Sequence, residues 1–190
     1  SYAHAKNFKN LKQIALAKSE IMNNIVSGGS IILNADDKFY KFHQKIAIKK
    51  KLKVYSFSIN KKNATVRLNS IKKEKTKFKA TININNQKKH FFISSNFENN
   101  LKNLLAAITV ISIFKDIKTL NKNIFYNYQI PYGRGDLSKI KINRKNILLI
   151  DESYNSNPLS LKSSINNFDL SDSKSNKKHL VLGDMLELGD

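Results

Sequence analysis

An apolar run that ends in a dense polar cluster is the feature of this sequence that most restricts its fold. Residues Ile147 to Ile150 are all apolar, which predicts a short buried strand. The polar cluster Asp151-Glu152-Ser153-Tyr154-Asn155 follows at once, and Pro158 stands where the first turn of a helix tolerates proline. A second apolar run, Leu180 to Leu182, predicts another strand after that helix. The order strand, helix, strand predicts the opening of an α/β unit.

Both predicted strands end in polar residues. Asp151 and Glu152 end the first strand, and Gly183-Asp184 with Glu187 follow the second. Ligands of open α/β sheets bind outside the carboxyl ends of the strands, so the two ends predict a site for a sugar hydroxyl or a metal-bound phosphate. Asparagine and serine side chains also cap helices. The pattern alone therefore leaves a ligand site and a helix cap equally open here.

The segment before residue 131 predicts a domain of mixed secondary structure. Apolar residues at helical spacing predict helices, and period-2 alternation predicts strands. The predicted helices cover residues 10–25, about 38–50 and 99–114. The predicted strands cover residues 30–33, 53–59, 65–71, 76–84 and 90–94. Because turns rich in lysine and asparagine separate the last three strands, we expect an antiparallel meander, a β excursion inside an α/β domain.

A domain boundary is predicted at Pro131-Tyr132-Gly133-Arg134-Gly135. We therefore expect one domain over residues 1–132 and a second over 133–190. The second is predicted to contain a hairpin-like pair of strands, 139–142 and 146–150, and a helix from about 158 to 168. An arginine on such a hinge suits a phosphate clamp that forms on domain closure. The alternative is a solvated charge in a linker.

The net charge of +20 raises nucleic-acid binding as a function. Lysine supplies nearly all of this charge and is scattered through predicted helices and strands alike, while the joint enrichment in Lys, Asn and Ile suggests AT-rich coding. Readers of base sequence rely on arginine, and the chain has only Arg67, Arg134 and Arg144. We therefore expect solvated surface lysines and no nucleic-acid partner. A basic nucleic-acid-binding module is kept as the alternative function.

Other classes are excluded by composition. The chain contains no cysteine, which excludes a disulfide framework and thiolate chemistry. No stretch reaches the roughly 18 apolar residues of a membrane-spanning helix, and the first residues do not form a secretory signal. We expect a cytoplasmic protein without a membrane span.

Two isolated residues could carry function. Lys18 lies on the helical stripe of Ile14 and Ile21, so we expect its stem to be at least partly buried. A snorkelling lysine explains such a placement, and the alternative is a lysine made useful by modification. His4 is a lone imidazole, which is expected at the surface unless a ligand recruits it.

Amides open the longest predicted helix. Asn99, Asn100 and Asn103 stand in its first turns, where they can cap the backbone or face a base. The sequence contains no Gly-x-x-x-x-Gly-Lys-Ser/Thr loop. These 190 residues therefore hold no Walker-type cradle for phosphates.

Motifs in a consistent order along the chain resemble the Mur ligase family. The two most specific ones are Asp151-Glu152-Ser153-Tyr154-Asn155-Ser156-Asn157-Pro158 and Gly183-Asp184-Met185-Leu186-Glu187-Leu188-Gly189. The upstream segments that are similar to the family are Ala3-His4 with Phe8, Ile14-Ala15, Ala17 to Ile21, Leu33 to Asp37, Asn103 to Ala107 and Gly133-Arg134. The resemblance spans nearly the whole chain.

The resemblance implies both a fold and an activity. The fold would be α/β: part of the family's central ATPase domain with an antiparallel β excursion, then the start of a Rossmann-like C-terminal domain. The activity would be that of an ATP-dependent amide ligase of peptidoglycan precursor synthesis. In the member that these motifs resemble most, ATP phosphorylates the terminal carboxylate of UDP-MurNAc-tripeptide. The amine of D-Ala-D-Ala then attacks the acyl phosphate through a tetrahedral intermediate.

The resemblance also implies ligands for particular residues. The cofactors would be ATP and Mg²⁺, and the enzyme a monomer. His4 and Lys18 would bind magnesium, Lys18 after CO₂ converts its ammonium into a carbamate. Asn155 and Ser156 would lie near the acceptor end of the substrate.

The remaining implied contacts are with the nucleotide. Asn99, Asn100 and Asn103 would lie near the adenine. Arg134 would contact the ATP phosphates, and Glu152 would contact the ribose. The P-loop half of the central domain and the N-terminal substrate domain would lie outside these 190 residues. We therefore expect an internal fragment that is inactive by itself.

Overall fold

The computed structural model describes residues 8, 10–94, 98–126, 128, 131–170 and 177–185. These residues form two compact units. The larger unit spans Ala15–Tyr128, and the smaller one contains the described residues from 131 onwards together with those before Ala15. No helix within these ranges is both long and apolar enough to cross a membrane.

The larger unit contains a five-stranded mixed sheet. Its strands lie side by side in chain order: β1 (Ser30–Asn34), β2 (Lys53–Ser58), β3 (Val66–Glu74), β4 (Lys77–Ile84) and β5 (Gln87–Ile93). β1 pairs with β2 in parallel, and β2 pairs in parallel with only the start of β3. β3, β4 and β5 are antiparallel. The predicted α/β fold with an antiparallel excursion is confirmed.

The helices of the larger unit follow the predicted order with shifted bounds. They are α1 (Leu11–Ser19), which begins just before the unit, a 3-10 helix (Glu20–Asn24), α2 (Tyr40–Lys49), α3 (Glu98–Phe114) and a 3-10 helix (Ile117–Thr119). α2 begins later than predicted because side chains close turns before it. The Asp36 amide donates to Asn34 Oδ1 at 2.9 Å, and the Phe39 amide donates to Asp37 Oδ1 at 2.7 Å.

Two apolar cores lie on opposite faces of this sheet. On one face, α3 lies against β2 and β3, and its buried side chains join those of β3, β4 and β5 in a core where Leu105 and Ile82 are fully buried. On the other face, Ala47 of α2 packs with Met22 and Leu52 against β1 and β2. α2 and α3 therefore sandwich the sheet and hold its strand ends in place.

Two hairpins turn through residues in the left-handed conformation. Asn85 (φ 49°) and Asn86 (φ 67°) join β4 to β5. In the smaller unit, Asn143 (φ 48°) and Arg144 (φ 65°) do the same. Positive φ at both central residues matches the right-handed twist of the flanking strands, and asparagine tolerates this conformation better than most residues.

The smaller unit contains a hairpin and a helix. β6 (Asp136–Ile142) and β7 (Lys145–Asp151) pair antiparallel, and α4 (Pro158–Leu170) follows. The predicted hairpin and helix are confirmed. The faces of β7 are poorly covered within the described residues, since Leu148 is 51% exposed.

The predicted strand at Leu180–Leu182 is wrong for the described residues. This segment has no strand assignment, and Val181 is 94% exposed. A strand requires a partner for its backbone N–H and C=O groups, and the described partner of β7 is β6 alone. The apolar run is present in the sequence, but no neighbouring strand in the described part of the chain pairs with it.

Candidate functional site

The glycine-arginine turn lies directly against the end of β7. The Gly135 amide donates to the Asp151 carbonyl at 2.6 Å, and the Tyr154 amide donates to the Gly133 carbonyl at 3.1 Å. The turn is closed on itself, because the Gly133 amide donates to Asp136 Oδ1 at 2.6 Å. These bonds fix Arg134 beside the polar cluster that follows β7.

Both glycines are required by this close approach. Gly133 (φ 71°) and Gly135 (φ 89°) are buried and have backbone conformations that disfavour side chains. A Cβ at Gly133 would lie 3.0 Å from the Tyr154 Cβ, and one at Gly135 would lie 3.0 Å from Glu152 Oε1. The absence of side chains therefore lets the turn reach the Glu152–Tyr154 segment.

Arg134 is held by stacking and keeps its charge available. Its guanidinium carbon lies 4.4 Å from the centroid of the Tyr154 ring, within the range of a cation–π contact. Both side chains are exposed, and no ion pair joins Arg134 to a carboxylate among the described residues. A planar guanidinium presents donors that match phosphate oxygens. The arrangement can therefore bind an anion, with the Glu152 carboxylate close by.

The pKa of Asp151 is lowered by its neighbour Ser153. Hydrogen bonds from the Ser153 side chain and then from its backbone lower the pKa of Asp151 from its ordinary value of 3.8, and the Ser153 amide lies 2.9 Å from Asp151 Oδ1. The strand end is therefore negatively charged next to the arginine turn. Such pairing of charges suits a ligand that carries both phosphates and hydroxyls.

The polar cluster contains a helix cap as well as candidate ligand groups. Asn157 Oδ1 accepts from the amides of Leu159 and Ser160, both at 3.1 Å, at the start of α4. The cap interpretation therefore holds for Asn157. Asn155 is exposed and Ser156 is half-buried on the segment between β7 and α4, so Asn155 is accessible to a ligand.

Lys18 lies beside a groove, but its predicted burial is wrong. The residue is exposed although Ile14, Ala15 and Ser19 of the same helix are buried, because an open groove adjoins α1 at this point. Lys18 and His43 line a groove of about 350 Å³ at the edge of β1. The lysine head is thus available for modification.

The described residues supply an incomplete site for a metal ion. No three His, Cys, Asp or Glu side chains among them cluster closely enough to hold one. His4 lies outside the described residues. A lysine ammonium cannot ligate a hard cation, which takes oxygen ligands. Lys18 fits a magnesium site only if it becomes a carbamate.

The three candidate amides for a base stand in the first turns of α3. Asn99 and Asn103 are exposed on one side of the helix, and Asn100 is half-buried. An ion pair of 2.6 Å between Glu98 and Lys102 supports this first turn. These amides belong to the larger unit, whereas Arg134 and Glu152 belong to the smaller one.

Two contacts that shape these strand ends are not predicted by the sequence pattern. No role was predicted for Tyr154, although it belongs to the polar cluster after β7. Its ring stacks on Arg134, which lies twenty positions earlier in the chain. Asp36 bridges the ends of β1 and β2, since its carboxylate accepts from Ser58 Oγ at 2.6 Å and from the Ile59 amide at 2.7 Å. Polar residues after a predicted strand signal such a bridge, but the partner on the next strand is set by the register.

Comparison with known families identifies the fold. The model of the Mur ligase middle domain matches residues 1–111, which is more than half of the chain. The chain belongs to the Mur ligase family. The predicted resemblance is therefore confirmed.

Curated relatives match the chain along its length. A UDP-N-acetylmuramoyl-tripeptide–D-alanyl-D-alanine ligase of Rickettsia prowazekii is 30% identical, with 100% of this chain and 41% of the relative covered. The ligase of the same name from Escherichia coli K12 is 27% identical over 98% of this chain and 40% of the relative. This Mur ligase chain thus spans about two fifths of the length of these relatives.

Solved structures show the same fold. MurF from Acinetobacter baumannii superposes with a TM-score of 0.82 at 24% identity, covering 100% of this chain and 39% of that one. MurF from Thermotoga maritima, solved in complex with ADP, gives a TM-score of 0.80 at 20% identity, covering 100% and 41%. The α/β fold with its five-stranded sheet is therefore a MurF-type fold.

Proposed function

We propose that this chain forms part of an ATP-dependent ligase that joins D-Ala-D-Ala to UDP-MurNAc-tripeptide. The observation that supports this most directly is the match to three curated ligases of that name over 98%, 99% and 100% of the chain. The proposed reaction makes a peptidoglycan precursor and takes place in the cytoplasm, with a monomeric enzyme.

The proposed chemistry proceeds in two steps. The γ-phosphoryl group of ATP passes to the terminal carboxylate of the tripeptide, which leaves ADP and an acyl phosphate. The amine of D-Ala-D-Ala then attacks the acyl carbon, and inorganic phosphate leaves as the amide bond forms. Holding the two reactants in line supplies much of the rate, because it removes the entropy cost of their encounter.

Arg134 and Glu152 are proposed to bind the nucleotide. The guanidinium of Arg134, stacked on Tyr154, would donate to the phosphate oxygens. The Glu152 carboxylate, 3.0 Å from a Cβ built at Gly135, would accept from the ribose hydroxyls. Both lie at the carboxyl end of β7.

The other candidate residues lie at the start of α3 and between β7 and α4. Asn99, Asn100 and Asn103 are proposed near the adenine, and Asn155 and Ser156 near the acceptor end of the substrate. Their support is the exposure of Asn99, Asn103 and Asn155 and the likeness of the motifs to the family.

Magnesium is proposed to be held through Lys18 and His4. Lys18 would contribute an oxygen ligand as a carbamate, for which its exposed position beside the groove leaves room. The ion would offset the charge of the phosphates. Residues 1–132 are proposed as part of the central domain and residues 133–190 as part of the C-terminal domain.

A substrate-dependence assay tests the proposed function. In a polypeptide that joins this chain to the substrate domain and the P-loop half of the central domain, phosphate release from ATP should require both UDP-MurNAc-tripeptide and D-Ala-D-Ala. Arg134→Ala should lower kcat/KM for ATP by about a hundredfold, the usual cost of a lost donor to developing charge. Arg144→Ala is the matched control, because Arg144 lies in the β6–β7 turn. Phosphate release at the same rate with and without D-Ala-D-Ala would contradict the proposal.

The 190-residue chain alone should release no phosphate, because it contains no phosphate cradle. Ligase activity of this chain alone would overturn the assignment of the phosphate site to a separate segment. The same preparation should still unfold cooperatively, which distinguishes a missing site from a missing fold.

A further inference from the structure

The positive charge of this chain is concentrated in one segment. Between residues 38 and 94, sixteen lysines and one arginine stand against a single acidic residue, Glu74. The segment therefore carries a formal net charge of +16, out of +20 for the whole chain. The lysines are scattered through helices and strands, but the near absence of acidic residues between 38 and 94 concentrates the net charge there.

Strand register places four of these lysines on one side of the sheet. Directly paired residues of antiparallel strands point to the same face, and Lys72 pairs with Lys79, which pairs with Phe92. The intervening residues, such as Ile82 and Phe91, pack under α3. We call the opposite face the basic sheet face, and its members are Lys72, Lys77, Lys79, Lys88, His90 and Phe92.

Helix α2 adds charge on the same side of the sheet. It packs on β1 and β2 through the core that lies opposite α3. Lys41, Lys45 and Lys49 are exposed at four-residue spacing along α2, so they form one row on the helix surface. The side of the sheet away from α3 therefore presents lysines from α2 and from the three neighbouring strands β3, β4 and β5.

Most of these charges are not neutralised within the described residues. Lys72 and Lys88 are exposed, and the one ion pair on this face, between Lys79 and Glu74, is long at 3.9 Å. A pair of that length at the surface is weak. The Lys77 ammonium lies 3.5 Å from the centroid of the Phe92 ring, which positions the charge without cancelling it.

We propose that the basic sheet face docks on an anionic lipid surface. Single-stranded nucleic acids are held by stacking of successive bases on open aromatic rings, but of the two rings on the basic sheet face, Phe92 is half-buried and covered by Lys77, which leaves the ring of His90 as the exposed one. Lysines act as point charges and suit a broad array of headgroups. A bilayer matches a charge pattern that is spread over a sheet and a helix rather than focused in a groove.

Vesicle binding by the 190-residue chain tests this proposal. The chain should sediment with vesicles that contain about one-third phosphatidylserine at roughly 0.1 M salt, and release them as salt screens the charges. Each lysine near such a surface contributes about fivefold in partitioning. Lys72→Gln with Lys79→Gln should therefore weaken binding by about 25-fold.

Matched variants separate this face from charge in general. Lys115→Gln with Lys118→Gln removes the same charge from exposed positions that follow α3 in the same unit, and should change binding by less than about twofold. Lys72→Gln with Lys88→Gln repeats the first test at two exposed positions, in case the loss of Lys79 disturbs the fold. Circular dichroism melts confirm that each variant is folded.

Three results would overturn the proposal. One is binding to neutral phosphatidylcholine vesicles as tight as to the anionic ones. Another is an equal loss of vesicle binding in the double variants of the basic sheet face and in the control Lys115→Gln with Lys118→Gln. A third is absence of vesicle binding together with tight, salt-dependent binding of a single-stranded oligonucleotide, which would assign the face to nucleic acid. None of these readouts depends on ligase activity, so the proposed function stands or falls separately.

Discussion

The guanidinium of Arg134 stacks on the ring of Tyr154, with 4.4 Å between the guanidinium carbon and the ring centroid. The backbone of Tyr154 also binds the turn, since its amide donates to the Gly133 carbonyl. One residue therefore anchors the turn through its backbone and orients the arginine through its side chain.

Replacing Tyr154 should separate these two contributions. Tyr154→Leu removes the aromatic face and keeps the backbone bond, so we expect it to remove about 0.5–1 kcal/mol of the free energy that positions Arg134. In a ligase that contains this chain, this would raise KM for ATP roughly twofold to fivefold. Tyr154→Phe is the control and should behave like the wild type. Equal effects of the two substitutions would exclude stacking as the cause.

Gly135→Ala should destabilise the smaller unit through both strain and contact. The residue has φ 89°, and a Cβ there would meet Glu152 Oε1 at 3.0 Å. We expect a loss of about 1–3 kcal/mol in the free energy of unfolding, measured by urea titration. Gly28→Ala is the matched control, because Gly28 also has positive φ but open space around it. A smaller cost at Gly135 than at Gly28 would contradict the close approach.

Asn157→Ala should weaken the start of α4. The substitution removes an acceptor for the amides of Leu159 and Ser160, which costs about 1 kcal/mol at a helix N-cap. Asn157→Asp keeps the acceptor and should retain stability. Asn155→Ala, at an exposed neighbour, should change the free energy of unfolding by less than about 0.5 kcal/mol.

Asp151 should titrate below its ordinary pKa of 3.8, because Ser153 bonds to the charged form through its side chain and its backbone. A carboxyl whose pKa falls on folding stabilises the native state above the unfolded pKa, and this contribution is lost as pH falls through the folded pKa. Ser153→Ala should raise the pKa of Asp151 part of the way to 3.8, as seen by NMR titration. An unchanged pKa in Ser153→Ala would assign the shift to the backbone alone.

Local patterns predicted much of the fold, because the spacing of apolar residues in each segment matches the period of the helix or strand that it forms. The stripe of Leu101, Leu104, Leu105 and Ile108 predicted α3, and these side chains form its buried face. Alternation predicted the meander, and the register follows from the turns. The strand at Leu180–Leu182 could not be predicted correctly from its apolar residues, because pairing depends on a neighbour and not on the segment itself.

The candidate site was less predictable than the fold. The position of Arg134 at the strand end was expected from the order of the motifs, but the ring that holds it was not. Lys18 was predicted to be partly buried but is exposed, because α1 adjoins an open groove there while Ile14 and Ala15 are buried. Whether a groove adjoins a helix depends on its packing partners, which periodicity alone does not report.

The chain-order arrangement of the sheet has a consequence for how the protein folds. β3 pairs with β4, and β4 pairs with β5, so these contacts between strands adjacent in sequence close only short loops, which cost little entropy. β1 and β2 can pair only after α2 has crossed between them. We therefore expect the meander to form first during refolding, and pulsed hydrogen exchange should show amides of β4 protected before those of β1.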